Sequence, residues 1–153
     1  MPGRAHVKGD LIELALRGQF SVIVHGCNCF HAMGAGIAKP IREAFPEAYA
    51  ADKTTPYGDR AKLGSISSAL IERNDVRFHV VNAYTQFHWR GSGRKVEYEA
   101  LGRCFDAIAD EFPHAHIGYP LIGAGLAGGD WTIIGDLIDK ALADHEHTLV
   151  TLG

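Results

Sequence analysis

Two glycine-rich stretches carry the residues best suited to bind a small anion. The first glycine loop, residues 28–38, begins at Asn28 and ends in a Met-Gly-Ala-Gly-Ile-Ala string, and the second glycine loop runs from Gly123 to Gly129. Each follows an apolar run typical of a buried strand and leads into a helical pattern. At such a junction, unpaired backbone N–H groups and the helix dipole favour a negative charge. Each loop therefore predicts a phosphate site, and the two together could hold a diphosphate from both sides.

The elements that position these loops alternate between strands and helices. An apolar strand is expected over 20–25 before the first loop and another over 116–122 before the second. A helix is expected over 37–45, and Asp10 and Asp130 suit the N-caps of two further helices. The alternation predicts an α/β layer sandwich built from right-handed crossovers, whose ligands lie at the carboxyl ends of the strands. The other predicted elements are strands at 4–8, 65–71, 77–83 and 148–152, the middle two forming a hairpin, and helices at 11–16, 46–53 and 96–112.

The composition suits one compact domain over residues 1–153. The chain has 153 residues, of which 46% are hydrophobic, and its net charge of −3 leaves no basic footprint for duplex nucleic acid. No apolar run approaches the roughly 20 residues that span a bilayer, and the N-terminal sequence lacks the apolar core of a signal peptide. The three cysteines are too few for a disulfide framework. A cytoplasmic protein with reduced thiols and no membrane partner is expected.

Two other kinds of site fit parts of these motifs less well. The second loop matches G-x-G-x-x-G through Gly123, Gly125 and Gly128, but only 25 residues follow Gly128, which is too few for the rest of a dinucleotide-binding half. A His-x-Cys-x-Cys-x-His spacing spans 25–31, yet alternation along a strand would place these side chains in a line rather than around a tetrahedral zinc ion. We therefore expect no metal and no organic cofactor.

Three motifs together resemble the pattern of the macrodomain family. They are Gly9-Asp10-Leu11, Asn28 followed by Met33-Gly-Ala-Gly-Ile-Ala38, and the stretch from Gly123 to Trp131. The likeness covers nearly the whole chain. It is closer to the branch that holds ADP-ribosyl-glutamate hydrolases and ADP-ribose-1''-phosphate phosphatases than to the branch with a triple-glycine loop. The resemblance implies a three-layer α/β/α fold with a mixed, largely parallel central sheet.

The resemblance also implies ADP-ribose as the ligand and assigns its contacts. Asp10 would accept the adenine amino group, and the Leu11 amide would meet the purine edge. Asn28 would hydrogen-bond the hydroxyls of the distal ribose, which suits an amide that both donates and accepts. Glycines of both loops would let backbone amides approach the diphosphate closely. The implied contacts are Asp10, Leu11, Asn28, Gly34, Ala35, Gly36, Ile37, Gly123, Ala124, Gly125, Leu126, Ala127 and Gly128.

Two positions depart from the pattern of the hydrolases that work through a lysine adduct. In those enzymes a lysine follows the central strand and an aspartate lies inside the second loop. The nearest positions here are Ala83 or Tyr84 and Ala127. The resemblance therefore does not carry the lysine mechanism to this chain.

The remaining catalytic route is attack by a water molecule held between Asn28, the diphosphate and a loop group. Asp130 is the candidate base or water-orienting group, and His31 is a candidate proton shuttle near neutral pH. Each has a structural alternative, Asp130 as a helix cap and His31 as a solvated loop histidine. An ester at the anomeric carbon has a good leaving carboxylate, so it needs little acid assistance.

The function that follows is hydrolysis of mono-ADP-ribose from acidic side chains. ADP-ribose and ADP-ribosylated proteins are the expected partners, and a monomer is the expected state. Two alternatives stay open: a reader that binds ADP-ribosylated partners without turnover, and a phosphatase acting on ADP-ribose-1''-phosphate. The aromatic stretch from Tyr84 to Arg90 is also open, because its rings suit stacking on adenine or a peptide partner as well as packing within the domain.

Overall fold

The described part of the chain folds around a six-stranded sheet. The computed structural model describes residues 4–90, 93–125 and 127–152. Its strands are β1 (Arg4–Lys8), β2 (Val22–Cys27), β3 (Ile66–Arg73), β4 (Val76–Tyr84), β5 (His116–Tyr119) and β6 (Glu146–Thr151). Its helices are α1 (Leu11–Leu16), α2 (Ala38–Ala44), α3 (Pro46–Lys53), α4 (Tyr98–Glu111) and α5 (Trp131–Ala141), with a short 3-10 turn at Arg60–Lys62.

The strand order is β1-β6-β5-β2-β4-β3, and neighbours are parallel except for the antiparallel pair β3 and β4. The hairpin forms because Asn74, in the left-handed conformation with φ 54°, and Asp75 join its two strands directly. The connection between the parallel neighbours β5 and β6 passes through α5, and the connection from β4 to β5, which lie on either side of β2, passes through α4. The mixed, largely parallel sheet is confirmed.

Helices cover both faces of the sheet and complete three α/β/α layers. Successive side chains of a strand point to opposite faces. Val22 and Val24 of β2 accordingly pack in a core that includes Phe105 of α4. Ile23 packs in a second core, on the other face, that includes Phe45 between α2 and α3. No helix in the described ranges is both long and apolar enough to cross a membrane.

Several element boundaries differ from the sequence prediction. β2 begins two residues later and β6 two residues earlier than expected. β5 ends at Tyr119, three residues early, since Pro120 has no N–H to donate to the strand ladder. α4 begins at Tyr98, two residues late, because Val96 pairs with Gln86 in an isolated antiparallel bridge.

Aspartate caps start two of the helices, as the sequence predicts. Asp10 Oδ1 accepts hydrogen bonds from the N–H groups of Ile12 (2.9 Å) and Glu13 (3.1 Å) at the start of α1. Asp130 Oδ1 accepts from the N–H of Thr132 (2.9 Å) at the start of α5. These carboxylates satisfy N–H groups that have no partner within the helix.

A chain of buried polar side chains joins β2 to β4, β3 and α3. The Tyr84 hydroxyl donates to Asp52 Oδ1 (2.6 Å) and lies 2.8 Å from Ser67 Oγ. Asn82 donates to Ser67 Oγ (3.0 Å), and its Oδ1 lies 2.7 Å from His25 Nε2. Burial raises the pKa of the Tyr84 phenol and lowers the pKa of His25. At neutral pH the phenol therefore remains a donor, and the His25 ring remains uncharged.

Removing the phenolic hydroxyl should expose the importance of this network. Tyr84→Phe leaves the buried Asp52 carboxylate without its donor, so we expect the free energy of unfolding to fall by about 1–3 kcal/mol. Urea denaturation at pH 7 measures the change. Tyr57→Phe is the control, since the Tyr57 side chain is 68% exposed, and its effect should stay within about 0.5 kcal/mol. Equal stability of the two variants would contradict a stabilising role for the network.

Candidate functional site

A cleft of about 740 Å³ opens at the carboxyl ends of β2, β4 and β5. Its walls are the first glycine loop, the second glycine loop and the third segment, which is our name for the described part of residues 85–95 after β4. In the sheet, β2 lies between β5 and β4, and the three strands are parallel. The segments that follow them therefore meet at one edge, where open α/β sheets bind their ligands.

Most of the predicted ligand contacts line this cleft. The first loop contributes Asn28, Gly34, Ala35, Gly36 and Ile37. The second loop contributes Gly123, Gly125 and Ala127. The structure therefore brings together the two loops that sequence reasoning paired.

The remaining predicted contacts lie elsewhere. Asp10 and Leu11 follow β1 and do not line the cleft. They lie at the same edge of the sheet as the cleft, because β1 is parallel to β6 and β6 is parallel to β5. Ala124 and Gly128 belong to the second loop without lining the cleft. Leu126 lies outside the described residues.

Asn28 closes the turn that begins the first glycine loop. Its side chain is nearly buried, with Oδ1 accepting from the N–H of Phe30 (2.8 Å) and, at 3.4 Å, of Ala32. Its Nδ2 donates to the carbonyl of Ala32 (2.9 Å). An asparagine amide has two N–H donors, and the hydrogen bonds among the described residues use one of them. Asn28 can therefore hold the loop and still donate to a molecule in the cleft.

The second glycine loop depends on two left-handed glycines. Gly123 has φ 77° and Gly128 has φ 73°, and the Gly129 N–H closes the loop on the Gly123 carbonyl (2.7 Å). A Cβ at Gly123 would lie 2.8 Å from Val96 Cγ2, so the backbone passes too close for a side chain. At Gly125, which lines the cleft, a Cβ would meet no atom of the described residues within 4 Å. The loop is thus fixed at its ends and open toward the cleft.

The third segment is tied to the second glycine loop. The backbone N–H groups of Lys95 (2.7 Å) and Val96 (3.2 Å) both donate to the Ala127 carbonyl. The Glu97 N–H donates to the Thr85 carbonyl (2.8 Å), which closes the third segment on itself. Among the described residues that line the cleft, Lys95 is the only charged one.

Sequence reasoning missed Thr85, Gln86 and Lys95 as lining residues. Thr85 is fully buried, and its Oγ1 has no hydrogen-bond partner within the described residues. No motif marks these positions, because they become neighbours of the glycine loops only through the pairing of β4 with β2. The available signal was topological: a segment after a central parallel strand ends at the same edge as the two loops.

The aromatic stretch packs against the first glycine loop and also reaches the cleft. Phe30 meets Tyr57, Phe87 and Trp89 edge-on, with ring centroids 5.4, 4.9 and 5.9 Å away. The His88 ring stacks on Trp89 at 4.2 Å with an interplanar angle of 13°. Trp89 lines the cleft and is 39% exposed. Trp89 therefore packs within the domain and also exposes part of its ring to the cleft.

Asp130 and His31 hold structural contacts outside the cleft. Asp130 caps α5 through Oδ1, and it does not line the cleft. His31 lies in the left-handed conformation (φ 57°), its Nε2 is 2.7 Å from the Thr55 carbonyl, and it does not line the cleft either. Of the three candidate catalytic residues, the structure brings only Asn28 to the cleft. Within the described ranges, no group of three His, Cys, Asp or Glu side chains is placed to hold a metal ion.

Comparisons with known proteins agree with this geometry. The model of the Macro domain family matches residues 24–137. The chain is similar to an uncharacterised 17.5 kDa protein from the tk-vs intergenic region of Enterobacteria phage T4, with 39% identity over 151 residues, 95% of this chain and 94% of that protein. It is 26% identical over 138 residues to a DNA ADP-ribosyl glycohydrolase of Thermus aquaticus, covering 89% of this chain and 37% of that protein. Its fold is similar to the macrodomain of Mycobacterium tuberculosis DarG, with a TM-score of 0.79, 20% identity and 99% of each chain covered.

Two alanine substitutions in the second loop should differ sharply in stability. Gly123→Ala forces a side chain into a left-handed conformation and against Val96, so we expect a loss of about 1–3 kcal/mol in the free energy of unfolding. Gly125→Ala has open space and no such conformation, and it should change the free energy by less than about 1 kcal/mol. Urea denaturation of both variants checks the prediction. If Gly123→Ala left the free energy of unfolding unchanged, the loop would not depend on the left-handed conformation of Gly123 or on its close approach to Val96.

Proposed function

The chain belongs to the macrodomain family, and from this premise we propose that it binds ADP-ribose in the cleft and hydrolyses the bond between ADP-ribose and an acidic side chain of a modified protein. One observation carries the proposal: two glycine loops follow adjacent parallel strands and face each other across a cleft of about 740 Å³. Volumes of roughly 300–1,000 Å³ are typical of small-molecule sites.

The diphosphate of ADP-ribose suits the space between the loops. Backbone amides near Gly36 and Gly125 can approach its oxygens, because neither residue has a side chain in the way. The first N–H groups of α2 add to this favourable environment, since Ile37 at the N-cap has no side chain able to accept from them. This arrangement accounts for the preference for an anion without a cluster of basic residues.

The adenine end of the ligand would extend toward Asp10. The Oδ1 atom of Asp10 is used by the cap of α1, but a carboxylate has a second oxygen and about four acceptor sites in all. Asp10 can therefore cap the helix and accept the adenine amino group at the same time. This assignment places the adenine on the β1 side of the sheet and the distal ribose on the β4 side.

Hydrolysis would proceed by attack of water on the anomeric carbon of the distal ribose. The bond from this carbon to the carboxyl oxygen breaks, the carboxylate leaves with the electron pair, and the attacking water gives up a proton. The second N–H of Asn28, which the hydrogen bonds among the described residues leave unused, would hold the ribose or the water. Asp130 and His31 would take no part in this step, because each is held by contacts outside the cleft.

Similarity to the Thermus aquaticus relative supports hydrolysis of an ADP-ribosyl bond. That protein is named a DNA ADP-ribosyl glycohydrolase, and this chain matches 37% of its length. A nucleobase acceptor is therefore a second candidate. The stacked Trp89 and His88 rings beside the cleft favour it, because base–aromatic stacking is a common means of holding single strands.

Binding of ADP-ribose is the first requirement. Gly125→Glu places volume and negative charge where the diphosphate would lie, so we expect the affinity for ADP-ribose to fall about 10²-fold or more. Isothermal titration calorimetry measures it. Gly125→Ala is the matched control and should retain most of the affinity. Equal affinity of the Glu variant and the wild type would place the ligand elsewhere.

Turnover is the second requirement. We expect the wild type to release free ADP-ribose from a protein modified on glutamate or aspartate, and Asn28→Ala to be about 10²-fold slower because the ribose loses its positioning. The released ADP-ribose is quantified by chromatography. Binding without release would instead indicate a reader, and release of inorganic phosphate from ADP-ribose-1''-phosphate would indicate a phosphatase.

A further inference from the structure

The charge distribution of the cleft is uneven. Among its described lining residues, Lys95 is the only one with a charged side chain, and the others are small, apolar, aromatic or amide residues. A cation beside a cleft interacts more strongly with negative charge than it would in bulk water, because the protein around it has a lower dielectric constant. The position of this ammonium therefore decides what it can stabilise.

Lys95 is held by its backbone rather than by its side chain. Its N–H donates to the Ala127 carbonyl (2.7 Å), which fixes the residue against the second glycine loop. Its Nζ has one contact within the described residues, a long hydrogen bond of 3.4 Å to the Gly93 carbonyl. The ammonium thus retains donors for a molecule in the cleft, because it carries three N–H groups.

The topology favours the acceptor end of a bound ADP-ribose as the place where Lys95 would act. Lys95 belongs to the segment after β4, which lies beyond β2 from β1 and Asp10, and its N–H bond to Ala127 holds it where this segment reaches the second glycine loop. When the adenine lies toward Asp10, the distal ribose and the group attached to it point toward the third segment. Lys95 and Trp89, which line the cleft from that segment, would then lie near the bond that breaks.

We propose that the Lys95 ammonium is a catalytic group that stabilises the leaving carboxylate during hydrolysis of the ADP-ribosyl ester. This inference rests on the proposed function. Water forms the new bond to the anomeric carbon, and the bond from that carbon to the carboxyl oxygen breaks with its electron pair going to the carboxylate. Lys95 stays protonated throughout, forms no covalent bond, and pairs with the negative charge as it develops. The proton of the attacking water goes to solvent, so the products are ADP-ribose and the free acidic side chain.

With this role for Lys95, the reaction would need no carboxylic acid or histidine, and none is present among the described residues that line the cleft. A departing carboxylate needs no proton, but its negative charge must be stabilised where bulk water is partly excluded. A positioned cation meets that need. Removing a preorganised group of this kind typically costs about 10²–10³-fold in kcat.

The first test separates catalysis from ligand binding. Lys95→Gln should lower kcat about 10²-fold on a peptide ADP-ribosylated at glutamate, while the Kd for free ADP-ribose, which lacks the acceptor carboxylate, changes less than about threefold. Lys95→Arg, which keeps the charge, should retain much of the activity. Arg94→Gln is the matched control: it removes one positive charge from the same segment, lies against the Tyr98 ring at 4.2 Å, and does not line the cleft.

Chemical rescue provides the second test. Lys95→Cys treated with 2-bromoethylamine regains an ammonium at nearly the same distance from the backbone, so its kcat should recover. Treatment with iodoacetamide restores bulk without charge and should not restore kcat. The native thiols should not interfere, because Cys27, Cys29 and Cys104 are buried and burial raises the pKa of each, to about 12 for Cys104.

Several outcomes would overturn the role of Lys95. An unchanged kcat in Lys95→Gln would overturn it. A loss of kcat matched by an equal loss of ADP-ribose affinity would also overturn it, because Lys95 would then be a ligand of the diphosphate. A covalent adduct on Lys95 trapped by borohydride would show a nucleophile instead. If the wild type itself releases no ADP-ribose, the proposed function fails. Normal turnover in Lys95→Gln refutes only the inference about Lys95.

Discussion

Parallel pairing of β2 with β5 on one side and β4 on the other is the constraint on which the cleft depends. Each strand is followed by a segment of different chemistry: a glycine loop beginning at Asn28, a glycine loop beginning at Gly123, and a segment carrying Trp89 and Lys95. Because the strands end at one edge, these segments become neighbours although they are far apart in sequence. Neither glycine loop alone would enclose a diphosphate.

Polar contacts tie the first glycine loop to the segment that follows α3. Lys62 is nearly buried, and its Nζ donates to Thr55 Oγ1 (2.6 Å) and to the Pro56 carbonyl (2.7 Å). The Thr55 carbonyl in turn accepts a hydrogen bond from Nε2 of His31 (2.7 Å), which belongs to the first glycine loop. The same Lys62 ammonium lies 4.5 Å from the ring of Tyr84, which bonds Asp52. His31 thus connects the first loop to a buried ionic region, which explains why a histidine suited to proton transfer serves as an anchor.

Local signals in the sequence predicted those features that depend on local physics. Glycine spacing located both loops, Asp10 and Asp130 marked helix starts, and alternation of apolar runs indicated the α/β layers. Residue type alone did not separate a catalyst from a cap, because a carboxylate at Asp130 satisfies helix N–H groups as well as it would orient water. Lys95 could not be found this way, since its place in the cleft depends on which strands are neighbours. That relation is a property of the fold and leaves no mark on the residues themselves.

The central claim is that the facing glycine loops form the ADP-ribose site, and amide NMR during titration with ADP-ribose tests it most directly. Assigned backbone spectra would report which N–H groups the ligand reaches. We expect the largest shifts at residues 34–37 and 123–128, smaller shifts near Asp10 and Lys95, and a shift of the Asn28 side-chain amide. Shifts confined to the opposite edge of the sheet, around residues 18–21 and 75–77, would contradict the account.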